Sequence, residues 1–341
     1  MAVGASSGAD RAIGSGRTPS PFAARNWSHF AEEDDDPPGL SVRFMGTSTL
    51  LISDETTSVL IDGFFSRPSL TRFLATRLAP KGAEIAKAMR RGRIGPLTLV
   101  LAAHSHHDHA MDSATVAASQ NAELAGSDSV RWLAEGADFP KERFRLVKDK
   151  TVLAVGSPVR FHITAFEAPH SPHPFFTGDL EAPLRPPIWG PSYLGGPNFS
   201  FLIEHRLAKM LVVPSANFVC EGLAGRRADV VFLSIGGIGR QPVEFFEAYW
   251  RETVLRPQAS TVVITHWDDF FVSLDEPLRP MRRLLDDVET ALVWVEAAAR
   301  RDGVKLVIPP AFRPAAVDAL QAGASRPVPL NHGTCIGDAR A

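Results

Sequence analysis

Eleven residues constrain this chain more than any other stretch: positions 99–109 read Leu-Val-Leu-Ala-Ala-His-Ser-His-His-Asp-His. A short apolar run, suited to a core strand, stops abruptly in four histidines and an aspartate. Imidazoles and carboxylates crowded at such a place must be hydrogen-bonded or metal-bound to offset their lost hydration. His104 and His106 are two apart, so on an extended strand end both rings point the same way. Asp108 and His109 follow where the chain can turn and present a second set of ligands. Neutral imidazole nitrogen and carboxylate oxygen suit zinc, iron or manganese. The run therefore predicts a metal site; the blander readings are a metal-free relic or an unrelated use in the core.

The flanking chain supplies strands and helices in a suitable order. Val42–Phe44, Thr49–Ile52 and Ser58–Ile61 are short β-rich runs separated by Gly or acidic turns, the antiparallel start of a sheet. Asp62 closes the third run, where an aspartate either begins a turn or supports a neighbouring metal loop. Ala83–Arg90 reads as a basic helix, and Leu97–Ala102 as the strand that carries the cluster out of the core. Met111–Leu124 is Ala-rich with Asp112 and Ser113 at its start, which predicts a capped helix. Further strands are expected at 143–148 and 151–155. Val159–Phe166 alternates as a half-buried strand and delivers His170 and His173 to the same end of the sheet. The Pro/Gly-rich connection 172–198 carries Phe175, Phe176, Trp189 and Tyr193. It is either a wall over the site or an aromatic loop packed down for stability. Phe199–Ile203 with Lys209–Val213 forms an expected hairpin, and Ala228–Gly237 a buried strand with a Gly-rich turn. A helix is expected from Pro242 to Arg256, an amphipathic helix over 279–302 and a last strand at Lys305–Ile308. Val262–Thr265 presents His266, with Asp268 two residues on as a group that can orient a ligand histidine.

The segment 1–38 is rich in Gly, Ser, Ala and Pro and closes in Glu32–Asp36, so it reads as a flexible lead-in, although Phe22, Trp27 and Phe30 leave room for a clamped piece. One domain is expected over 39–322, followed by a loosely held tail, 323–341, in which His332 and Cys335 are weak ligand candidates.

His104-Ser105-His106-His107-Asp108-His109 resembles the H-x-H-x-D-H signature of the metallo-β-lactamase superfamily. Leu60-Ile61-Asp62-Gly63 is similar to the early strand whose terminal aspartate supports the metal loop. His170 stands at the position of the third histidine of the first site, and His266 resembles the late strand-end histidine. The likeness runs from about residue 41 to about 310 and is nearest the branch of ascorbate-phosphate lactonase-like hydrolases. It implies an α/β fold, the four-layer αββα metallo-β-lactamase sandwich, with one or two divalent metal ions. Zinc is the first choice, manganese and iron the alternatives. His104, His106 and His170 would form a tri-histidine set with an open fourth position, and Asp108, His109 and His266 a two-histidine, one-carboxylate set.

One departure bears on mechanism. In the family the strand before Pro214-Ser215-Ala216-Asn217 usually ends in Gly-Asp, and that aspartate bridges two metals; here Ser215 stands in its place. Losing that charge should weaken a two-metal arrangement, because repulsion between the cations is less well offset. Asn217 offers an amide oxygen, and Asp179 repeats the Gly-Asp wording only nine residues after His170. Two metals with weakened bridging are preferred over one metal, and one metal over an inactive site.

The function expected is metal-assisted hydrolysis, in which hydroxide generated from metal-bound water attacks a carbonyl carbon or phosphorus. Asp108 would orient it, with His173 or Tyr193 as candidate general acids. A small ester, lactone or amide with an apolar part is preferred to a phosphodiester of non-nucleic-acid type. An iron-binding oxidoreductase and a non-catalytic ligand-binding module are the readings from other classes. No G-x-S-x-G elbow is present. A net charge of -2 without a dense Lys/Arg block lacks the footprint of nucleic-acid binding. No apolar run reaches the length of a membrane span. Cys220 and Cys335 give neither a disulfide framework nor a C-x-x-C site. With no apolar signal core at the start, a cytoplasmic protein acting on a small molecule is expected, of unspecified oligomeric state.

Overall fold

The computed structural model describes residues 36–173 and 175–327. Phe22, Trp27, Phe30, His332 and Cys335 lie outside those residues.

Two seven-stranded sheets form the middle of the molecule. Across the first, the order is Pro314–Ala316, Ser41–Phe44, Leu50–Ser53, Ser58–Ile61, Leu99–Leu101, Glu123–Gly126 and Phe144–Leu146. Across the second it is Lys305–Val307, Thr261–Thr265, Val230–Ser234, Lys209–Val213, Asn198–Glu204, Phe161–Ala168 and Val152–Val155. Each sheet is antiparallel over one half and parallel over the other. Strand periodicity sorts the side chains. Phe44, Leu50, Ile52, Val59, Ile61, Leu99 and Leu101 share one core with Phe161, Ile163, Phe201 and Val212 of the second sheet. The intervening Leu51, Leu60, Val100 and Leu124 point the other way, onto Ile85 and Met89 of the helix Gly82–Arg91 and Val116 and Ala117 of the helix Ser113–Ser119. On the far side, the second sheet packs on the helices Val243–Trp250 and Val288–Asp302 through Phe246, Trp250, Leu292 and Val295. Burial on both faces is what makes Leu99–Leu101 apolar without alternation. The architecture is the expected αββα sandwich.

The parallel halves fix where chemistry can sit, because ligands of open α/β sheets gather beyond the carboxyl ends of the strands. Asp62 follows Ile61, His104 follows the strand ending at Leu101, and His170 follows the strand ending at Ala168. Ser215 and His266 follow the strands ending at Val213 and Thr265. Asp62 and His266 are both left-handed, with φ of 46° and 55°, so the chain turns sharply as it leaves the core at these points.

Several expectations change in detail. The helix after the metal loop is shorter than Met111–Leu124: it ends at Ser119, Asn121 takes a left-handed φ of 53°, and Glu123–Gly126 becomes a strand beside Leu99–Leu101. Asp112 makes no capping bond to that helix, since its carboxylate accepts from the amides of Phe65 and Ser66 and the Ser66 hydroxyl. The last long helix begins at Val288 rather than 279, capped by Asp287, whose side chain accepts from the Thr290 amide. Lys305–Val307 is not the last strand, because Pro314–Ala316 closes the edge of the first sheet. No helix among the described residues is long and apolar enough to cross a membrane.

Candidate metal centre

The six strand-end residues converge as two sets of three ligand atoms: His104, His106 and His170, then Asp108, His109 and His266. Within each set the atoms lie within 4.8 Å of one another. The sets adjoin, with the His104 and His109 ring centroids 3.9 Å apart. His106 ends the strand exit in an extended conformation, and His107–Ala110 forms one helical turn. That turn places Asp108 and His109 on the same side as His104.

The outward nitrogens of the rings decide what the inward ones can do. His109 Nδ1 donates to Asp62 Oδ2 at 2.7 Å, while Asp62 Oδ1 accepts from the Ala103 amide at 2.8 Å. His106 Nε2 donates to the Phe176 carbonyl at 3.1 Å, and His170 Nδ1 to the Ser171 carbonyl at 3.0 Å. In its neutral form each of these rings turns a lone pair toward the cluster. His104 Nε2 lies 3.1 Å from His106 Nδ1, and His109 Nε2 lies 3.3 Å from His266 Nε2. Asp108 Oδ2 is 3.4 Å from His109 Nε2 and 3.3 Å from His266 Nε2. Acceptors at such separations repel unless a proton or a cation stands between them.

Electrostatics sharpen the contrast. Burial pushes His106 down to about 4 and takes His104 and His170 well below the ordinary histidine range, with neighbouring imidazoles adding to the effect on the latter two. A proton is therefore a poor occupant of the first set, whereas a cation bound by neutral nitrogens is a good one. At His109, burial acts downward but the carboxylates of Asp62 and Asp108 outweigh it and raise the pKa. Burial would raise Asp108, yet His109, His266 and His107 hold it well below the usual carboxylate range, so it stays anionic. Nitrogen-rich sets with one carboxylate and no thiolate fit a divalent ion such as zinc, manganese or iron.

The remaining candidates divide. Ser215 is buried, and its hydroxyl accepts from the Ser171 amide at 2.9 Å. Asn217 Nδ2 donates to the His170 carbonyl at 2.7 Å, and its Oδ1 accepts from the Phe218 amide at 2.8 Å. Both therefore steady the His170 loop, and the amide oxygen of Asn217 is already used. No carboxylate among the described residues belongs to both ligand sets, and Asp179 belongs to neither. His173 stands beside the first set, its ring 4.5 Å from His170 and 5.5 Å from His106. Its Nδ1 accepts from the Phe175 amide at 3.2 Å. Tyr193 is not brought to the ligand atoms: it is buried in the core, with its ring 6.5 Å from the non-ligand His107. Asp268 does not touch a ligand ring. It pairs with Arg67 at 2.7 Å and accepts from the Thr47 amide at 2.7 Å, and the Thr47 carbonyl accepts from the His266 amide at 2.7 Å.

Other participants had no motif to announce them. Phe176 acts through its carbonyl, Gly195 through a backbone that passes within reach of the His106 ring, and Thr47 through its carbonyl. Gly195 also offers its carbonyl to the Ser105 amide at 2.9 Å, so the 172–198 connection ties directly to the metal loop. Its aromatics do not share one role: Tyr193 is buried, Trp189 donates to the Leu74 carbonyl at 3.2 Å, and Phe175 is exposed. Asp286 is buried, with Oδ2 accepting from the Gly237 amide at 2.8 Å. An aspartate one position before a helix cap gives no sequence signal of that kind.

No protein-family model matches the chain, and no curated protein sequence does. Solved structures do. Igni18, a novel metallo hydrolase from Ignicoccus hospitalis, is 16% identical with a TM-score of 0.50, over 80% of this chain and 96% of that one. A possible metal-dependent hydrolase from Veillonella parvula is 12% identical with a TM-score of 0.50, over 82% and 100%. The metallo-β-lactamase fold protein YhfI from Bacillus subtilis is 12% identical with a TM-score of 0.49, over 81% and 98%. At these identities the likeness is one of fold.

Proposed function

We propose that the protein is a metal-dependent hydrolase of a small carbonyl substrate, an ester, lactone or amide with an apolar part. The observation that carries this reading is the convergence of two ligand sets whose inward lone pairs face one another at 3.1 and 3.3 Å. His104, His106 and His170 would hold one divalent ion, and Asp108, His109 and His266 a second. Such an ion supplies Lewis acidity, polarising the scissile carbonyl and acidifying water near neutral pH.

The chain's own groups supply the rest. Asp62 locks the His109 tautomer, so that Nε2 faces inward. With its Nδ1 taken by the Phe175 amide, neutral His173 carries its proton on Nε2 and can offer that N–H as a hydrogen-bond donor to the leaving atom. An apolar wall stands beside the second set, where Phe270 lies 5.5 Å from His266 and 4.7 Å from Phe271. It suits the apolar part of the substrate. The cleft that opens on His170 is lined by Asp149, Glu167 and Asp179 with no lysine or arginine. Carboxylates there repel a phosphodiester anion, which favours the carbonyl substrate.

The test is metal content per chain in protein purified without added metal or chelator, followed by turnover of matched aryl esters, lactones and a bis-aryl phosphodiester. Metal-dependent turnover of carbonyl substrates, lost on chelation and restored by zinc or manganese, is expected. Turnover of the phosphodiester alone would overturn the substrate class. Absence of metal after reconstitution would overturn the enzyme.

A further inference from the structure

Asp112 is a fully buried carboxylate that neither caps its helix nor belongs to a ligand set. Burial pushes its pKa up to about 6, although its hydrogen bonds act the other way. At neutral pH it is an anion held in the core, and none of its hydrogen-bond partners is a cation. Oδ2 accepts from the amides of Phe65 at 2.8 Å and Ser66 at 2.6 Å, and Oδ1 accepts from the Ser66 hydroxyl at 2.7 Å. That hydroxyl in turn accepts from the Lys81 amide at 2.7 Å. Two successive amides aimed at one oxygen form an anion nest. A carboxylate satisfies all three donors, whereas a carboxamide has a single acceptor oxygen and leaves the hydroxyl donor unmatched.

What Asp112 grips is the middle of a strap, residues 62–67, whose two ends serve the two histidines of the second ligand set. At the near end Asp62 accepts from His109 Nδ1 at 2.7 Å and from the Ala103 amide at 2.8 Å. At the far end Arg67 donates to Asp268 at 2.7 Å and to the Thr47 hydroxyl at 3.1 Å. Asp268 accepts from the Thr47 amide, and the Thr47 carbonyl from the His266 amide, both at 2.7 Å. The strap bends sharply at each end: Asp62 and Arg67 take left-handed φ of 46° and 34°. A residue other than glycine holds such a conformation only where its surroundings impose it. The Arg67 guanidinium also lies against Gly46, where a Cβ would collide with it, so the far end has little room to shift.

We propose that Asp112 is a positioning residue of the metal centre: by clamping Phe65 and Ser66 it sets the span from Asp62 to Arg67, and with it the approach of His109 and His266. His109 lies three residues before Asp112, so one anion closes a circuit through the ligand turn, the strap and the His266 turn. The bonds that hold His106 and His170, to the carbonyls of Phe176 and Ser171, lie outside that circuit. The inference rests on the reading of the second set as a metal site and not on hydrolysis.

The test uses full-length Asp112→Asn, which keeps the shape of the side chain, and Ser66→Ala, which removes only the hydroxyl. Zinc is titrated against a chromophoric chelator, and the step weakened by Asp62→Asn marks the second set. Amide hydrogen exchange at Thr47 and His266 is followed in the metal-free protein. In Asp112→Asn, second-set affinity should fall about tenfold with the first set within about twofold, and exchange at both amides should quicken about tenfold. Ser66→Ala, short of one hydrogen bond, should move both readings the same way by about threefold. A merely structural anchor would lower the denaturation midpoint while leaving the second set and the two amides unmoved, and that result would overturn the proposal. Equal losses from both sets would overturn it as well. Should Asp112→Asn fail to fold, Ser66→Ala decides on the same criteria. A parent that binds no zinc would sink the metal reading alone, since quickened exchange at Thr47 and His266 in the variants would still uphold the strap.

Discussion

The two ligand sets lie side by side yet are held by different means. Behind Asp108, His109 and His266 stand full charges: Asp62 on the His109 ring, and the buried Arg67–Asp268 pair on the Thr47 segment that accepts from the His266 amide. Behind His104, His106 and His170 stand only neutral groups: the carbonyls of Phe176 and Ser171, the Ser215 hydroxyl and the Asn217 amide. His104 Nδ1 has no hydrogen-bond partner among the described residues. A carboxylate behind an imidazole raises its basicity and strengthens its hold on a cation. The second set should thus bind its ion more tightly, and the first should be the half that empties when metal is scarce. Ser215, whose hydroxyl accepts from the Ser171 amide, keeps the ground behind His170 uncharged.

The largest effect expected is that of Asp268→Asn. It leaves Arg67, itself buried, without its counter-charge, and breaking such a pair on one side costs about 3–5 kcal/mol. Chemical denaturation should show that loss, together with a weakened second site, because the single oxygen of the carboxamide cannot accept from both Thr47 and Arg67. A mild surface-like effect would mean that the pair is not what holds the His266 turn.

Asp62→Asn comes next. The amide can still accept from Ala103 but no longer offers a charge to His109, so affinity at the second set should fall about 10–100-fold with the first set unchanged. The converse change, Ser215→Asp, adds a charge to the neutral half and should raise first-set occupancy, measured as metal per chain under limiting zinc. Equal losses from both sets in Asp62→Asn would remove the distinction between them.

Acid should separate the sets in the other direction. His106 titrates only at about 4, so protons compete weakly there, while His109 has a raised pKa and takes a proton first as pH falls. Tighter binding at the second set is accordingly a property of neutral and alkaline pH. On titration from pH 8 to 5 the second-set ion should be lost earlier, seen as a rise in free zinc reported by a chromophoric chelator while the tri-histidine ion remains. Release in the opposite order would show that the carboxylates hold the ion more strongly than they hold the proton.

Both halves were legible in the sequence at the candidate ligands and hidden at the groups that stand behind them. His104, His106, Asp108 and His109 are conspicuous because six consecutive polar residues at the end of an apolar strand have no ordinary structural use. His170 and His266 are legible as strand ends on the same edge. Phe176, Thr47 and Gly195 are not, because a backbone carbonyl is the same in every residue and only tertiary structure aims it. Arg67 reaches Asp268 across 201 positions of sequence, a separation that no local pattern encodes. The missed edge strand Pro314–Ala316 is three residues long and begins with proline, so propensity argued against it. The overextended last helix had its true start written in Asp287 and Thr290, but a continuing run of leucines and arginines masked the cap.

The smallest effect expected belongs to Asn217→Ala, and it is the sharpest test of the comparison. Asn217 donates to the His170 carbonyl and accepts from Phe218, so its removal costs about two neutral hydrogen bonds, on the order of 1–2 kcal/mol of stability. No charge is lost and the His170 ring keeps its bond to Ser171. Affinity at the first set should therefore fall only several-fold, well short of the change from Asp62→Asn at the second. Should Asn217→Ala instead empty the first set while the fold stays intact, geometry and not charge would be what ranks the two halves. Ser215 would then matter as the group that fixes the Ser171 amide and the loop behind it, rather than as a missing carboxylate.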